Sequence, residues 1–330
     1  MTKPDILIVS LGGTITMTRS EAGGITPSLD AADLMAGVPG LQDIAEIHPR
    51  SPLSLPSASL TLGHLVSVAD LLNRELAGDF DGAVVVQGTD TIEETAFVLD
   101  LLVRARKPVV VTGAMRGADA TGADGPANML AAVITAASPQ AAGLGTLVVL
   151  NDQIHAARYA AKQSTSLPSA FASPEAGPVG YVVEGRARIL LRCEQRPLPE
   201  GALSDADAPV ALHLPGLGDD GRVLGSLEGL GYRGLVIAGM GAGHVPAVQV
   251  AMLEELARSM PVVLASRVPS GPVFERTYGF AGSEMDLLAK GLIPAGSLSA
   301  LKARLLLILL LMRGTGMQDI RQCFALYGNR

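Results

Sequence analysis

Through the first half of this 330-residue chain, short runs of continuous apolar residues alternate with stretches of helical periodicity. The runs Ile6–Leu11, Gly82–Gln87, Pro108–Thr112 and Gly145–Leu150 have the length and Val/Ile/Leu content of strands buried on both faces. Between the first two, Leu62, Leu65, Ala69, Leu72 and Leu76 share one face of a helix over 59–77, which Gly78 closes. Ile92, Ala96, Leu99 and Val103 form a second stripe. Glu93 and Glu94 stand in its first turn and Arg104, Arg106 and Lys107 in its last, which suits the helix macrodipole. A third helix over 125–137 carries Pro126 in its first turn. Strand–helix repetition of this kind predicts an α/β fold with a parallel, doubly wound sheet.

Residues 196–209 break the pattern, being rich in Pro, Asp and Ser without periodicity, and read as a linker. A smaller α/β pattern follows, with strands at Val210–Leu214, Gly234–Ala238 and Pro261–Ala265. Its helices are expected at Ala247–Ser259, Ser297–Arg313 and Gln318–Leu326. The length exceeds the usual single core, so two α/β domains are expected: a larger one over 1–195 and a smaller parallel-sheet one over 210–330.

Composition narrows the function. With 48% hydrophobic and 17% charged residues the chain is a core-rich globule, and with no Trp its core must be built from Ala, Val, Leu and Ile. A net charge of −7 argues against nucleic acid as a partner, since phosphate binding needs a basic surface. Cys193 and Cys323 stand far apart without C-x-x-C spacing and read as apolar fillers. The opening MTKPDILIVSLGG reads as the first core strand of a cytoplasmic protein and not as a signal peptide. Leu305–Met312 is apolar but far shorter than the ~20 residues a bilayer needs. Bracketed by Arg304 and Arg313, it reads as a buried helix at a subunit contact, and no membrane partner is expected.

Chemistry is expected outside the carboxyl ends of the strands. There Gly82–Gln87 breaks at Gly88 and delivers Thr89-Asp90-Thr91 to the start of a helix, while Ile6–Leu11 runs into Gly12-Gly13-Thr14. Two such strand ends can aim two hydroxyls at one pocket, and the glycines allow close backbone approach and anion-stabilising N–H groups. Helix capping competes as an explanation: Thr91 and Glu94 are spaced as a capping box, and Gly12-Gly13-Thr14 also fits a tight turn with a capping threonine. Nucleotide binding fits poorly. No Gly-Lys-Ser/Thr follows the first glycines, and Gly239–Gly243 lacks a third glycine at the right spacing. The five histidines, His48, His64, His155, His213 and His244, show no metal spacing. A threonine nucleophile needs a base. A lysine kept neutral in a desolvated, cation-flanked site would serve, well below its reference pKa of ~10.4. Lys162, in the segment Asn151-Asp152…His155…Arg158…Lys162, is the candidate, against the alternative of a solvated surface lysine.

Together these segments resemble the bacterial-type L-asparaginase family, which includes glutaminase-asparaginases. The matching pieces are LGGTI (11–15), VVVQGTDTIEETAF (84–97), KPVVVTGAMR (107–116), ADGPANML (123–130), the 151–162 segment and SRVPSG (266–271), in order across most of the chain. The resemblance implies an amidohydrolase that converts L-asparagine to L-aspartate and ammonia without metal or organic cofactor. It implies that Thr14 is the nucleophile, that Thr89, Asp90 and Lys162 relay protons, and that Asp90 also binds the substrate's amino group. Ser57 is implied as the grip on the substrate carboxylate, with Ser59 close by, and Gly13 and Gly88 line the same pocket. Tight homo-oligomers, dimers paired into tetramers, are implied as well, with the C-terminal domain at the subunit interface. The rival readings are an amidase preferring glutamine or another small amide, and a non-catalytic amino-acid sensor on the same scaffold. The chain departs from the family in its lid, where Thr16 and the Thr18–Gly24 loop carry no tyrosine, and at His244, where asparagine is common. The acidic residue that the family places after SRVPSG has no unique counterpart, with Glu275, Tyr278 and Glu284 all nearby.

Overall fold

The computed structural model describes residues 2–13, 17–19, 25–27, 37–199, 201–204 and 207–328. Thr14 and Thr16 lie outside them, as does most of the Thr18–Gly24 loop. The chain divides into two compact units, Met1–Leu198 and Pro199–Arg330.

The strands of the first unit are β1 (Asp5–Ser10), β2 (Met17–Arg19), β3 (Ile25–Pro27), β4 (Glu46–Arg50), β5 (Gly82–Val86), β6 (Val109–Thr112) and β7 (Thr146–Leu150). They are followed by β8 (Gln153–Ala156), β9 (Ala161–Lys162), β10 (Phe171–Ala172), β11 (Gly180–Val183) and β12 (Arg186–Ile189). Its helices are α1 (Leu41–Ile44), α2 (Leu62–Leu76), α3 (Ile92–Leu102) and α4 (Gly125–Ala136). An eight-stranded sheet runs in the order β12-β11-β8-β7-β6-β5-β1-β4. The five strands from β4 to β7 are parallel. Their continuous apolar sequences follow from burial on both faces: Ile6–Val9 and Ala83–Val86 are wholly inaccessible.

The other three strands run antiparallel, which the expectation of a parallel sheet did not include. The cause is local. Asn151 and Asp152, both at positive φ (51° and 59°), form a two-residue turn that folds β8 straight back onto β7. Winding also reverses at β1: the chain leaves it for β4 on one side, then crosses to β5 on the other. Such a reversal opens a crevice between the carboxyl ends of β1 and β5.

Three local expectations are corrected. Helix α2 starts at Leu62, because Ser57–Ser59 forms a separate 3-10 turn and Thr61 caps the helix. The capping box is made here, with His64 N donating to Thr61 Oγ1 (3.3 Å) and Thr61 N to His64 Nδ1 (3.2 Å). Thr91, by contrast, makes no side-chain cap on α3. Helix α3 ends at Leu102, so Arg104, Arg106 and Lys107 lie beyond its last turn.

The second unit contains β13 (Val210–His213), β14 (Gly234–Gly239), α5 (Val250–Ser259), β15 (Val262–Ser266), α6 (Glu284–Ala289), β16 (Ile293–Pro294), α7 (Ala300–Met312) and α8 (Met317–Gly328). Its four strands are parallel and ordered as in the chain. The apolar run of α7 is explained inside this unit, where Leu305, Leu306, Leu307, Leu309 and Leu310 are buried and the helix packs on β13 and β14. No helix among the described residues is long and apolar enough to cross a membrane.

Candidate active site

The crevice between β1 and β5 is closed by glycine. Gly13 has φ +99°, and a Cβ built there would overlap the backbone of Gly88. Gly12, at φ +103°, would place one 2.7 Å from the backbone of Leu55, whose N–H donates to Leu11 O (2.9 Å). The two strand ends and the 55–57 segment are therefore in backbone contact, an approach that only residues without a Cβ permit.

From this junction the Thr89-Asp90-Thr91 turn spreads its side chains. Thr89 is buried, at 7% exposure, and Asp90 is exposed. Ser57 is buried against Gly88, and its Oγ accepts from Asp90 N (3.3 Å). Thr91 Oγ1 donates to Ser57 O (3.1 Å) and accepts from Gln87 Nε2 (3.1 Å). Thr91 thus ties the segment carrying Ser57 to the end of β5. Ser59 is exposed on the far side of its turn.

Lys162 reaches this turn from outside the large sheet. It lies in β9, which pairs antiparallel with β10, Phe171 opposite Lys162. Its Nζ donates to Thr89 Oγ1 at 2.9 Å and to Asp90 Oδ1 at 2.8 Å, and its side chain is only 18% exposed. The charged group paired with it is the Asp90 carboxylate. Of the candidate residues, Thr89, Asp90, Lys162, Ser57, Gly13 and Gly88 are brought together, Ser59 faces solvent, and Thr14 lies outside the described residues, one peptide bond beyond Gly13.

The remaining histidines are engaged elsewhere. His155 is fully buried on β8, with Nδ1 2.9 Å from Ser173 Oγ, and burial lowers its pKa to about 4. His48 lies 2.7 Å from Asp5 Oδ1 and His213 3.1 Å from Asp219 Oδ2. Among the described residues no group of three or more His, Cys, Asp or Glu side chains is arranged to hold a metal ion. In the second unit, Glu284 is the buried member of the three residues left open by sequence. Its Oε1 accepts from Thr277 N (2.9 Å) and Tyr278 N (2.7 Å), and His244 Nε2 lies 3.2 Å from Oε2. Burial opposes its ionisation, but these hydrogen bonds outweigh burial and hold the carboxyl below the usual range.

Sequence reasoning passed over Gln87, Thr91, Asp124 and Asn128 as individual residues. Thr91 was visible only as a cap, and Asn128 only as one letter of a motif. A polar side chain on a largely apolar helix rich in Ala, Leu, Met, Val and Ile was the available signal for Asn128.

A buried threonine hydroxyl bonded to a lysine at the carboxyl edge of an α/β sheet is an arrangement that can move a proton to and from an alcohol. Similarity to known proteins gives the class, a hydrolase acting on amide bonds. Residues 5–194 match the family model described as Asparaginase, N-terminal, and residues 210–324 that described as Glutaminase/Asparaginase C-terminal domain. The probable L-asparaginase of Deinococcus radiodurans is 38% identical, over 97% of each chain. The probable periplasmic L-asparaginase of Haemophilus influenzae is 33% identical, over 97% of this chain and 92% of its own. The crystal structure of the probable cytoplasmic L-asparaginase from Campylobacter jejuni superposes with a TM-score of 0.86 at 32% identity, covering 98% of this chain and 99% of that one. The chain belongs to the asparaginase family.

Proposed function

We propose that this protein hydrolyses the side-chain amide of L-asparagine, releasing ammonia and L-aspartate through a threonine acyl-enzyme. The observation that carries the reading is the Lys162 amine bonded at once to Thr89 Oγ1 and Asp90 Oδ1, beside the glycine junction that immediately precedes Thr14 in the chain. In this reading Thr14 Oγ attacks the amide carbon, and N–H groups near Gly13 and Thr89 stabilise the oxyanion. The Thr14 proton passes through Thr89 and Lys162 to the leaving nitrogen, which departs as ammonia. Water then attacks the aspartyl ester, gives its proton back along the same path, and restores the Thr14 hydroxyl. Asp90 binds the substrate's α-ammonium group and Ser57 its α-carboxylate.

L-Glutamine is the second reading, favoured by the match of residues 210–324 to a glutaminase/asparaginase domain. A coupled ammonia assay separates the two. Turnover of L-asparagine is expected at a kcat/KM about tenfold or more above that of L-glutamine, the discrimination a single methylene supports. The reverse order makes the enzyme a glutaminase. Aspartate binding with ammonia from neither amide makes it a sensor. A homo-oligomer of paired dimers is part of this proposal. Phe274, Tyr278 and Phe280, all over 40% exposed on one loop of the second unit, give it support as aromatic contact surface. A cytoplasmic site of action is also proposed. The Campylobacter neighbour is described as cytoplasmic and the Haemophilus relative as periplasmic, so cell fractionation decides it.

A further inference from the structure

We propose that Asn128 is a positioning residue, a single buried amide that fixes both sides of the Thr89–Lys162 contact; this deepens the catalytic reading above and rests on it. Asn128 lies on α4 at 2% exposure. Its Nδ2 donates to Gly113 O (2.9 Å) and to Asp124 Oδ2 (3.1 Å), and its Oδ1 accepts from Asn151 N (2.9 Å).

The first of these bonds acts on Thr89. Gly113 follows β6, and its backbone forms the wall beside Thr89. A Cβ there would stand 3.4 Å from Thr89 Cγ2 and would overlap the Gln87 carbonyl oxygen. Asp124 extends the same anchor by accepting from Met115 N (3.0 Å) and Arg116 N (2.9 Å), while Arg116 Nη1 closes the loop on Gly122 O (2.8 Å). The bond from Asn151 N acts on Lys162. Asn151 opens the left-handed turn into β8, and the chain from β8 to Lys162 is held by tight turns, with Tyr159 N and Ala160 N donating to Ala156 O (2.9 and 3.0 Å).

A hydroxyl and an amine at 2.9 Å must be placed to well under an ångström, because small displacements cost about a hundredfold in rate. The two groups come from distant strand ends with no direct backbone pairing between them. Among the described residues, Asn128 bonds to both supports, Gly113 and Asn151.

The test uses Asn128→Asp and the double variant Asn128→Asp/Asp124→Asn. A carboxylate at 128 keeps the acceptor for Asn151 N but cannot donate to Gly113 O, and Asp124→Asn removes the charge repulsion should the single variant fail to fold. Expected is a kcat lowered by about 30- to 100-fold with KM within about threefold, and a displaced kcat–pH profile, because a proton relay and not substrate binding is disturbed. A crystal structure of the folded variant is expected to show the Thr89 Oγ1–Lys162 Nζ contact broken. A lowered melting temperature with unchanged kcat and pH profile, or an intact contact, overturns the proposal by leaving Asn128 a structural role alone. Should the wild-type protein release no ammonia from any amide, the catalytic reading falls by itself, and the Thr89–Lys162 separation in the variant still decides the positioning role.

Discussion

Thr89→Val is expected to lower ammonia release from L-asparagine by about three orders of magnitude while leaving the protein folded. Valine keeps the volume of threonine at this 7%-exposed site but removes the oxygen that Lys162 holds at 2.9 Å. Lys162 retains its Asp90 partner at 2.8 Å, so no charge is stranded, and the loss of stability should be about 1 kcal/mol, the worth of one hydrogen bond. The informative quantity is the ratio of the two effects. A position that only caps a helix would lose stability and keep its rate, whereas a proton relay loses rate far beyond stability. Steady-state kinetics and a thermal melt on the same preparation measure both. A variant as active as the wild type removes Thr89 from the mechanism.

The second large effect is expected at Gly13. An alanine there meets two separate obstacles: a backbone at φ +99°, and the Gly88 backbone filling the space a methyl group would take. Left-handed strain alone costs about 1–3 kcal/mol. Gly40 provides the control, because it has a similar φ of +84° but nothing within 4 Å of its virtual Cβ. Gly40→Ala should therefore show the strain cost alone, with activity unchanged. Gly13→Ala should melt lower still, because β1 and β5 must part. The parting also moves the Thr89 turn relative to the residue that follows Gly13, so activity is expected to fall by about a hundredfold or more. Equal melting temperatures for the two variants would mean that the β1–β5 contact is loose and the junction is not the rigid floor of the site.

Much of this arrangement is legible in the residues because its strands are buried on both faces. Ile6–Val9 and Ala83–Val86 admit no polar residue, so the chain announces them as continuous apolar runs and punctuates them with glycine where they meet. Thr89 and Asp90 were identifiable for the related reason that a strand end carries its chemistry immediately after the apolar run, whereas Lys162, in β9 beyond the β7–β8 hairpin, stood out through the family resemblance of its segment. What stayed hidden depends on bonds between distant segments. Thr91 and Glu94 have capping-box spacing, yet the Thr91 hydroxyl is taken by Ser57 O and Gln87 Nε2, partners from 34 and 4 residues away. The antiparallel part of the large sheet turned on two residues, Asn151 and Asp152, whose left-handed conformation has no hydrophobic signature. The pairing of Lys162 with Asp90 was hidden as well, because β9 aims the lysine at the β5 turn and spacing along the chain carries no such direction.

The account stands most directly on a crystal structure with L-aspartate, the product, bound to the protein. It predicts the side-chain carboxylate of the ligand within hydrogen-bond reach of both Thr14 and Thr89, with Lys162 behind Thr89 and the ligand's α-carboxylate on Ser57. Aspartate bound elsewhere, or a Thr14 hydroxyl pointing away from a ligand held at Thr89, would contradict it.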